Sequence, residues 1–356
     1  MKRNHKYFLN LAFNEAKINL GKTNGNPSVG CIIVKKNSVI ASGRTSFNGR
    51  PHAEFNALNS KKNFKNSDLY VTMEPCTHHG LTPPCTDIIA KKGIKRVFFS
   101  FNDIDKRTAK KSKITLTKKK IKVYKKFNNN FRDFYQSYFL IQKDLTPLID
   151  AKIAISKDYF TINKNSKWIT NFLSRNRAHL IRSEYDSIIS TSKSINSDNS
   201  LLNCRLNGFN EEKPDLIIID LNLKIKKKLN LFKKLNKRKI FIVTSVLRGK
   251  KISYLKKKGI KIISIESLKD KNDFINLFKI LKKYGYNRIL VESGLVFLNK
   301  LLKDKLIFNL YMFQSSTKLG KKGRNNTSNN IIKKLKLNKK IKVNLNGDSL
   351  YKIKIK

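Results

Sequence analysis

Cysteine is scarce in this chain, four residues in 356, which excludes the disulfide framework that staples small secreted domains. Acidic residues are scarce too: 24 Asp and Glu stand against 77 Lys and Arg, for a formal net charge of +53. No run approaches the roughly 20 apolar residues that a membrane-spanning helix needs, so no membrane partner is expected. Met1-Lys2-Arg3 is a basic start, but Asn10, Asn14 and Glu15 interrupt the apolar residues behind it and spoil a signal-peptide core. No G-x-G-x-x-G is present, so glycine spacing does not reveal a dinucleotide-binding turn. What the composition does support is two cores. The length exceeds what one core usually serves, and 40% hydrophobic residues, with 22 Phe and 12 Tyr, supply the apolar surface. A soluble, cytoplasmic, two-domain protein is the expectation; a homo-oligomer is compatible with it.

A charge of +53 ordinarily suggests nucleic acid. Its distribution reads differently. Lysines fall in every region, as in Lys118-Lys119-Lys120, Lys226-Lys227-Lys228 and Lys256-Lys257-Lys258, among abundant Asn and Ile, with few arginines and no stacked-aromatic RNA motif. AT-rich coding produces this bias. No specific nucleic-acid partner is expected, although the charge would attract phosphorylated substrates.

The chemistry is concentrated in Pro51-His52-Ala53-Glu54 and, some twenty positions later, in Pro75-Cys76-Thr77-His78-His79-Gly80-Leu81-Thr82-Pro83-Pro84-Cys85. His52, Cys76 and Cys85 make three zinc ligands and leave a fourth tetrahedral position for water, the mark of a catalytic rather than a structural site. Zinc acidifies such a water. Glu54, two residues beyond His52, suits proton transfer without ligation, and the set reads as a zinc deaminase acting on a nucleobase-like ring. A structural zinc site would usually have four ligands and no use for Glu54. His78 and His79 read as loop or substrate contacts, and Cys31 and Cys204 as small buried thiols.

Nucleoside and nucleic-acid deaminases usually carry Pro-Cys-x-x-Cys, whereas here the two cysteines are nine positions apart with Thr-Pro-Pro before the second. With Asn26-Pro27-Ser28-Val29-Gly30-Cys31-Ile32-Ile33-Val34 upstream and Leu69–Glu74 running into Pro75-Cys76, the first third resembles the deaminase half of the bifunctional riboflavin-biosynthesis deaminase/reductase family, the RibD type. Elements read along it are an amphipathic helix carrying Tyr7, Phe8, Leu11, Ala12 and Ala16, a hairpin of Cys31–Val34 and Val39–Ala41, a helix His52–Leu58, a strand Leu69–Met73, a helix Cys85–Lys92 closed by Gly93, and a strand Arg96–Phe101. Two helix amino ends would then gather His52, Cys76 and Cys85 at one sheet edge. The expected fold is a cytidine-deaminase-like three-layer α/β/α domain over residues 1–146, ending in a helical Phe131–Gln142.

Residues 147–356 read as a second α/β domain, with strands at Leu148–Ile155, Asp215–Asp220, Lys239–Ser245, Lys261–Ile265, Arg288–Val291 and Leu306–Phe313 between Lys-rich helices such as Phe274–Lys283. The alternation suggests a largely parallel sheet. Resemblance to the reductase half of the same family implies a dihydrofolate-reductase-like α/β domain that uses NADPH to reduce the ribosyl group of the deaminated product. The matching residues are Lys152, Ala154, Ser156, Asp158, Ser166-Lys167-Trp168-Ile169-Thr170, Arg182, Ser194, Asp198, Leu202, Arg205 and Glu292-Ser293-Gly294. The resemblance implies cofactor contacts from Lys152, Trp168, Ser194, Asp198 and Gly294, and substrate contacts from Ser166, Arg182, Leu202, Arg205 and Glu292. Arg182 and Arg205 suit a phosphate clamp, Glu292 suits sugar hydroxyls, and Gly294 lets backbone amides approach a cofactor phosphate.

The chain departs from the family pattern at several positions. Tyr159, Thr191 and Lys193 stand where glycines are expected, Ser200 where a proline is, Thr45 where a histidine is, and Leu81 where an arginine is. Side chains at the first three would crowd the cofactor. The reading is a zinc- and NADPH-dependent bifunctional enzyme acting on a phosphorylated pyrimidine. A deaminase with a remnant second domain, and an RNA-binding module on a deaminase scaffold, are its rivals.

Overall fold

The computed structural model describes residues 4–127, 131, 133–143, 146–209, 214–233, 238–326, 331–335, 337 and 340–356. Met1-Lys2-Arg3 lies outside them. The chain divides into two compact units, Met1–Leu145 and Thr146–Lys356.

In the first unit the order is α1 (His5–Ile18), β1 (Gly30–Lys35), β2 (Ser38–Arg44), α2 (Ala53–Leu58), β3 (Asp68–Met73), α3 (Cys85–Lys91), β4 (Arg96–Phe101), α4 (Ser112–Lys118), β5 (Lys122–Lys125) and α5 (Gln136–Lys143). The sheet runs β2-β1-β3-β4-β5, antiparallel through β1 and parallel from β3 onward. Strand alternation sorts its side chains into two layers. Cys31, Ile33, Leu69, Val71, Val97 and Phe99 pack with Ala53, Ala57 and Leu58 of α2 and Ile89 of α3. On the other face Ile32, Val34, Tyr70 and Phe98 meet Phe8, Leu9 and Ala12 of α1. This is the expected α/β/α sandwich.

Two glycines set how closely the layers approach. A Cβ on Gly30 would stand 1.9 Å from the Ala12 carbonyl oxygen of α1, and one on Gly43 would stand 2.4 Å from the Ala57 amide nitrogen of α2. One helix therefore lies directly on backbone on each face. The helix read over Phe131–Gln142 begins only at Gln136, because Phe131 instead stacks on Phe13 of α1 with ring centroids 3.9 Å apart.

The second unit contains β6 (Leu148–Ile155), β7 (Phe160–Asn163), α6 (Phe172–Arg182), β8 (Ser187–Thr191), α7 (Ser192–Asp198), β9 (Asp215–Ile219), β10 (Ile240–Thr244), α8 (Lys250–Lys257), β11 (Lys261–Ser264), α9 (Lys271–Lys283), β12 (Arg288–Val291), α10 (Leu295–Lys303), β13 (Asn309–Gln314), β14 (Gly323–Asn326), α11 (Ile331–Lys334) and β15 (Ser349–Lys354). Among the described residues its main sheet is eight-stranded, β11-β10-β9-β8-β12-β6-β13-β15, parallel except for the β13–β15 pair. Apolar clusters cover both faces, as a parallel sheet requires. The strand read at Leu306–Phe313 starts at Asn309, because the Leu306 amide still bonds back to Leu301 in closing α10. Strand β8 escaped the sequence reading: three of its five residues, Ser-Ile-Ile-Ser-Thr, carry hydroxyls.

Candidate functional site

In the first unit, His52 caps the amino end of α2 in an extended conformation, and Cys85 opens α3. Cys76 follows β3. His52 Nδ1 lies 3.6 Å from Cys76 Sγ and 3.5 Å from Cys85 Sγ, and the three ligand atoms are all within 4.8 Å of one another. A tetrahedral zinc bonded at about 2.3 Å to sulfur and about 2.05 Å to nitrogen would set N and S about 3.6 Å apart. The donor set fits zinc in both type and spacing.

The electrostatics agree with this fit. The Cys85 amide, at the start of α3, donates to Cys76 Sγ at 3.2 Å. Hydrogen bonds from the Cys85 thiol, then from His52 and that amide, pull the Cys76 thiol down to about 4. The same hydrogen bond, together with burial, pushes Cys85 upward, and the bond with Cys76 raises His52. Glu54 is only 4% exposed. Burial, then the Cys76 charge, lifts its carboxyl to about 7, where a carboxyl both accepts and releases protons at neutral pH.

Sequence reading missed the support behind these ligands. Glu74, buried just before Pro75-Cys76, accepts from Asn102 Nδ2 (3.0 Å), the amides of Asp103 (3.2 Å), Lys110 (3.1 Å) and Ser112 (3.2 Å), and Ser112 Oγ (3.0 Å). It thereby pins residues 102–112. That segment places Thr108, whose Oγ1 is 2.9 Å from His78 Nδ1, so His78 is oriented while His79 is exposed. The signal was a carboxylate in an otherwise apolar strand end. Thr45 is a framework residue: its Oγ1 accepts from the Val29 amide at 2.9 Å.

In the second unit, Lys152 from β6, Arg182 from the end of α6 and Glu292 after β12 converge. Arg182 Nε and Nη2 donate to the two Glu292 oxygens at 2.6 and 3.0 Å, and Lys152 Nζ lies 3.1 Å from Glu292 Oε2. Burial alone would raise the Glu292 carboxyl; the Arg182 and Lys152 cations overcome it and hold it well below the usual carboxylate range. The face of Arg182 expected to clamp phosphate is thus occupied by Glu292, and its Nη1 donates to the Asn203 carbonyl at 3.0 Å. Arg205 is exposed, with Nη1 donating to Asn203 Oδ1 at 2.7 Å. Leu202 is buried beside them at φ +49°. Burial, then the charges of Arg182 and Arg205, lowers His179 to about 4.

Ser194 and Gly294 also meet. They sit past the carboxyl ends of the adjacent parallel strands β8 and β12, where α/β sheets take ligands, and the Gly294 amide donates to Ser194 Oγ at 2.9 Å. A Cβ on Gly294 would come 3.3 Å from that oxygen. Thr191 caps α7 by accepting from the Ser194 amide. Asp198, one turn beyond Ser194 on α7, is exposed, as is Lys193. The Ser194 and Gly294 amides are already bonded, to Thr191 Oγ1 and Ser194 Oγ, so a cofactor phosphate seated here would displace those oxygens. Ser166 accepts from the Trp168 amide at 3.1 Å, and Trp168, 49% exposed, has the Arg175 guanidinium 4.6 Å from its ring centre. Tyr159 keeps a glycine-like backbone at φ +69°, and its ring packs against the larger core cluster.

Residues 2–101 match the cytidine and deoxycytidylate deaminase zinc-binding region, and residues 147–348 match the RibD C-terminal domain. The chain is 31% identical to riboflavin biosynthesis protein RibD of Aquifex aeolicus, with 86% of each chain covered. Its identity to the Escherichia coli protein of that name is 26%, covering 90% of this chain and 89% of the other. Acinetobacter baumannii RibD superposes with a TM-score of 0.80 at 25% identity over 99% of both chains. A Thermotoga maritima deaminase/reductase shares the fold with a TM-score of 0.81 at 24% identity over the same share of each. The paired domains and the near end-to-end match with the Aquifex protein place this chain in the RibD family of bifunctional riboflavin-biosynthesis deaminase/reductases.

Proposed function

We propose that His52, Cys76 and Cys85 hold the zinc of the deaminase and that Glu54 carries its protons. The enzyme hydrolytically deaminates a diaminopyrimidinone ribosylamino phosphate and then reduces the ribosyl group to ribityl with NADPH. When bound, zinc supplies a Lewis acid that makes water a nucleophile near neutral pH. Water oxygen bonds to the ring carbon, the carbon–nitrogen bond breaks and ammonia leaves. Glu54 takes one proton from the attacking water and passes it to the ring nitrogen, then carries the second, from the hydroxyl so formed, to the departing amine. His78, fixed by Thr108, lines the approach.

In the second unit we assign Ser194 and Gly294 to the cofactor phosphates, with Lys152, Trp168 and Asp198 as further cofactor contacts. When bound, NADPH supplies the hydride. Opening a ribosyl ring to a ribityl chain also needs a proton at the sugar oxygen, and Lys152, held against Glu292, is the donor we assign. Arg182 orients Glu292 toward the sugar, while Arg205, Leu202 and Ser166 complete the substrate pocket. Among the described residues no helix is long and apolar enough to cross a membrane. The cytoplasm is the compartment we infer, because thiolate ligands need reduced sulfur and Cys31, Cys76, Cys85 and Cys204 are all unpaired.

The observation that carries this reading is the three-ligand cluster with a buried carboxylate beside it and no fourth protein ligand among the described residues. Elemental analysis of the purified protein is expected to find one zinc per chain, lost in the Cys76→Ala, Cys85→Ala double variant. Zinc retained in that variant would sink the assignment.

A further inference from the structure

Leu81, in the position where the family resemblance implies an arginine, is 88% exposed and uncharged. A different cation reaches the same rim. Arg50, two residues before His52, extends across to the loop between Cys76 and Cys85, where its Nη1 donates to Thr82 Oγ1 at 2.8 Å. A Cβ on Gly80 would lie 3.5 Å from Arg50 Nη2 and 3.8 Å from His78 Nε2. The guanidinium and the oriented imidazole therefore converge on one stretch of backbone beside the zinc ligands.

Arg50 is half-buried, and among the described residues it makes that one hydrogen bond and no ion pair. Most of its five N–H groups are left unused. A partly desolvated guanidinium, tethered at one nitrogen and lacking an anion, is a preformed receptor for phosphate, which its planar fork engages bidentately. We propose that Arg50 binds the phosphate-bearing arm of the deaminase substrate, taking over the cationic contact that Leu81 does not provide. This inference rests on the deaminase reading above.

The test compares full-length, zinc-loaded protein on the phosphorylated pyrimidine and on its dephosphorylated nucleoside form, following ammonia release. Arg50→Gln is expected to raise KM for the phosphorylated substrate roughly 10- to 100-fold, the effect of losing one or two hydrogen bonds to a charged group. Turnover at saturation and zinc content should stay unchanged, and KM for the dephosphorylated form should move by less than about threefold. Adding Leu81→Arg to Arg50→Gln should recover much of the lost affinity for the phosphorylated substrate alone.

Equal losses on both substrates, a fall in kcat, or loss of zinc would mean that Arg50 only braces the two loops, and would overturn the proposal. So would an unchanged KM. Wild-type protein that deaminates neither substrate refutes the deaminase reading itself, whereas an active wild type insensitive to Arg50 refutes only this inference.

Discussion

Glu54 and Glu292 are both buried carboxyls, yet their surroundings push them in opposite directions. The His52 charge only partly offsets burial and the Cys76 charge at Glu54, which is lifted to about 7, whereas Glu292 is gripped by Arg182 and Lys152. Glu54→Gln should therefore bind zinc normally and lose deamination by ~10²–10⁴-fold, the usual contribution of general acid–base catalysis. A loss under tenfold would show that another group moves the protons. Glu292 is instead part of a buried ion cluster, and removing one partner strands the other charge. Arg182→Met is expected to destabilise the second unit by about 3–5 kcal/mol, read as a lower unfolding midpoint in urea; a change under about 1 kcal/mol would mean that Lys152 alone satisfies Glu292.

Helix placement in the first unit depends on Gly30 and Gly43, but the two faces carry different cargo. Helix α1 bears no ligand, whereas α2 is capped by His52 and holds Glu54 in its first turn. An alanine at either glycine forces the facing helix away from the sheet, an overpacking cost of typically ~1–3 kcal/mol. Gly30→Ala should lower thermal stability with zinc affinity intact. Gly43→Ala should lower both, since moving α2 moves His52 relative to Cys76 and Cys85. Competition with a metallochromic chelator separates the cases, and equal zinc affinity in the two variants would count against this division.

Across the whole molecule, acid should weaken the second unit through His179. Its folded value, about 4, lies below the ordinary histidine value near 6.5. Between these pH values the unfolded chain takes up a proton that the folded chain refuses. Stability from this group is thus fully present above about pH 6.5 and is lost as pH falls toward 4. Allowing for residual solvent screening, the loss is on the order of 1 kcal/mol. Melting curves of the full chain between pH 7 and pH 4.5 should show this slope, and His179→Asn should flatten it. An identical slope in the variant would assign the acid sensitivity to other groups.

The cluster of His52, Cys76 and Cys85 was legible because its members come in short-range motifs. His52 and Glu54 are two residues apart and Cys76 and Cys85 nine, and a helix start or strand end positions each, whereas the Glu74 anchoring of residues 102–112 behind them was hidden. Strand and helix types were legible for the same reason: period-2 and period-3.6 apolar patterns record which face is buried. Strand β8 was hidden by its hydroxyls, which carry no such record. The partners that meet across 100 or more residues were also hidden. Arg182 with Glu292 and Ser194 with Gly294 come together only because β8 and β12 lie side by side in the sheet. Arg50 was not singled out by the sequence reading, since only the fold carries its side chain to Thr82. Short-range chemistry is written along the chain by spacing, whereas pairing between distant residues is decided by strand order, which spacing does not encode.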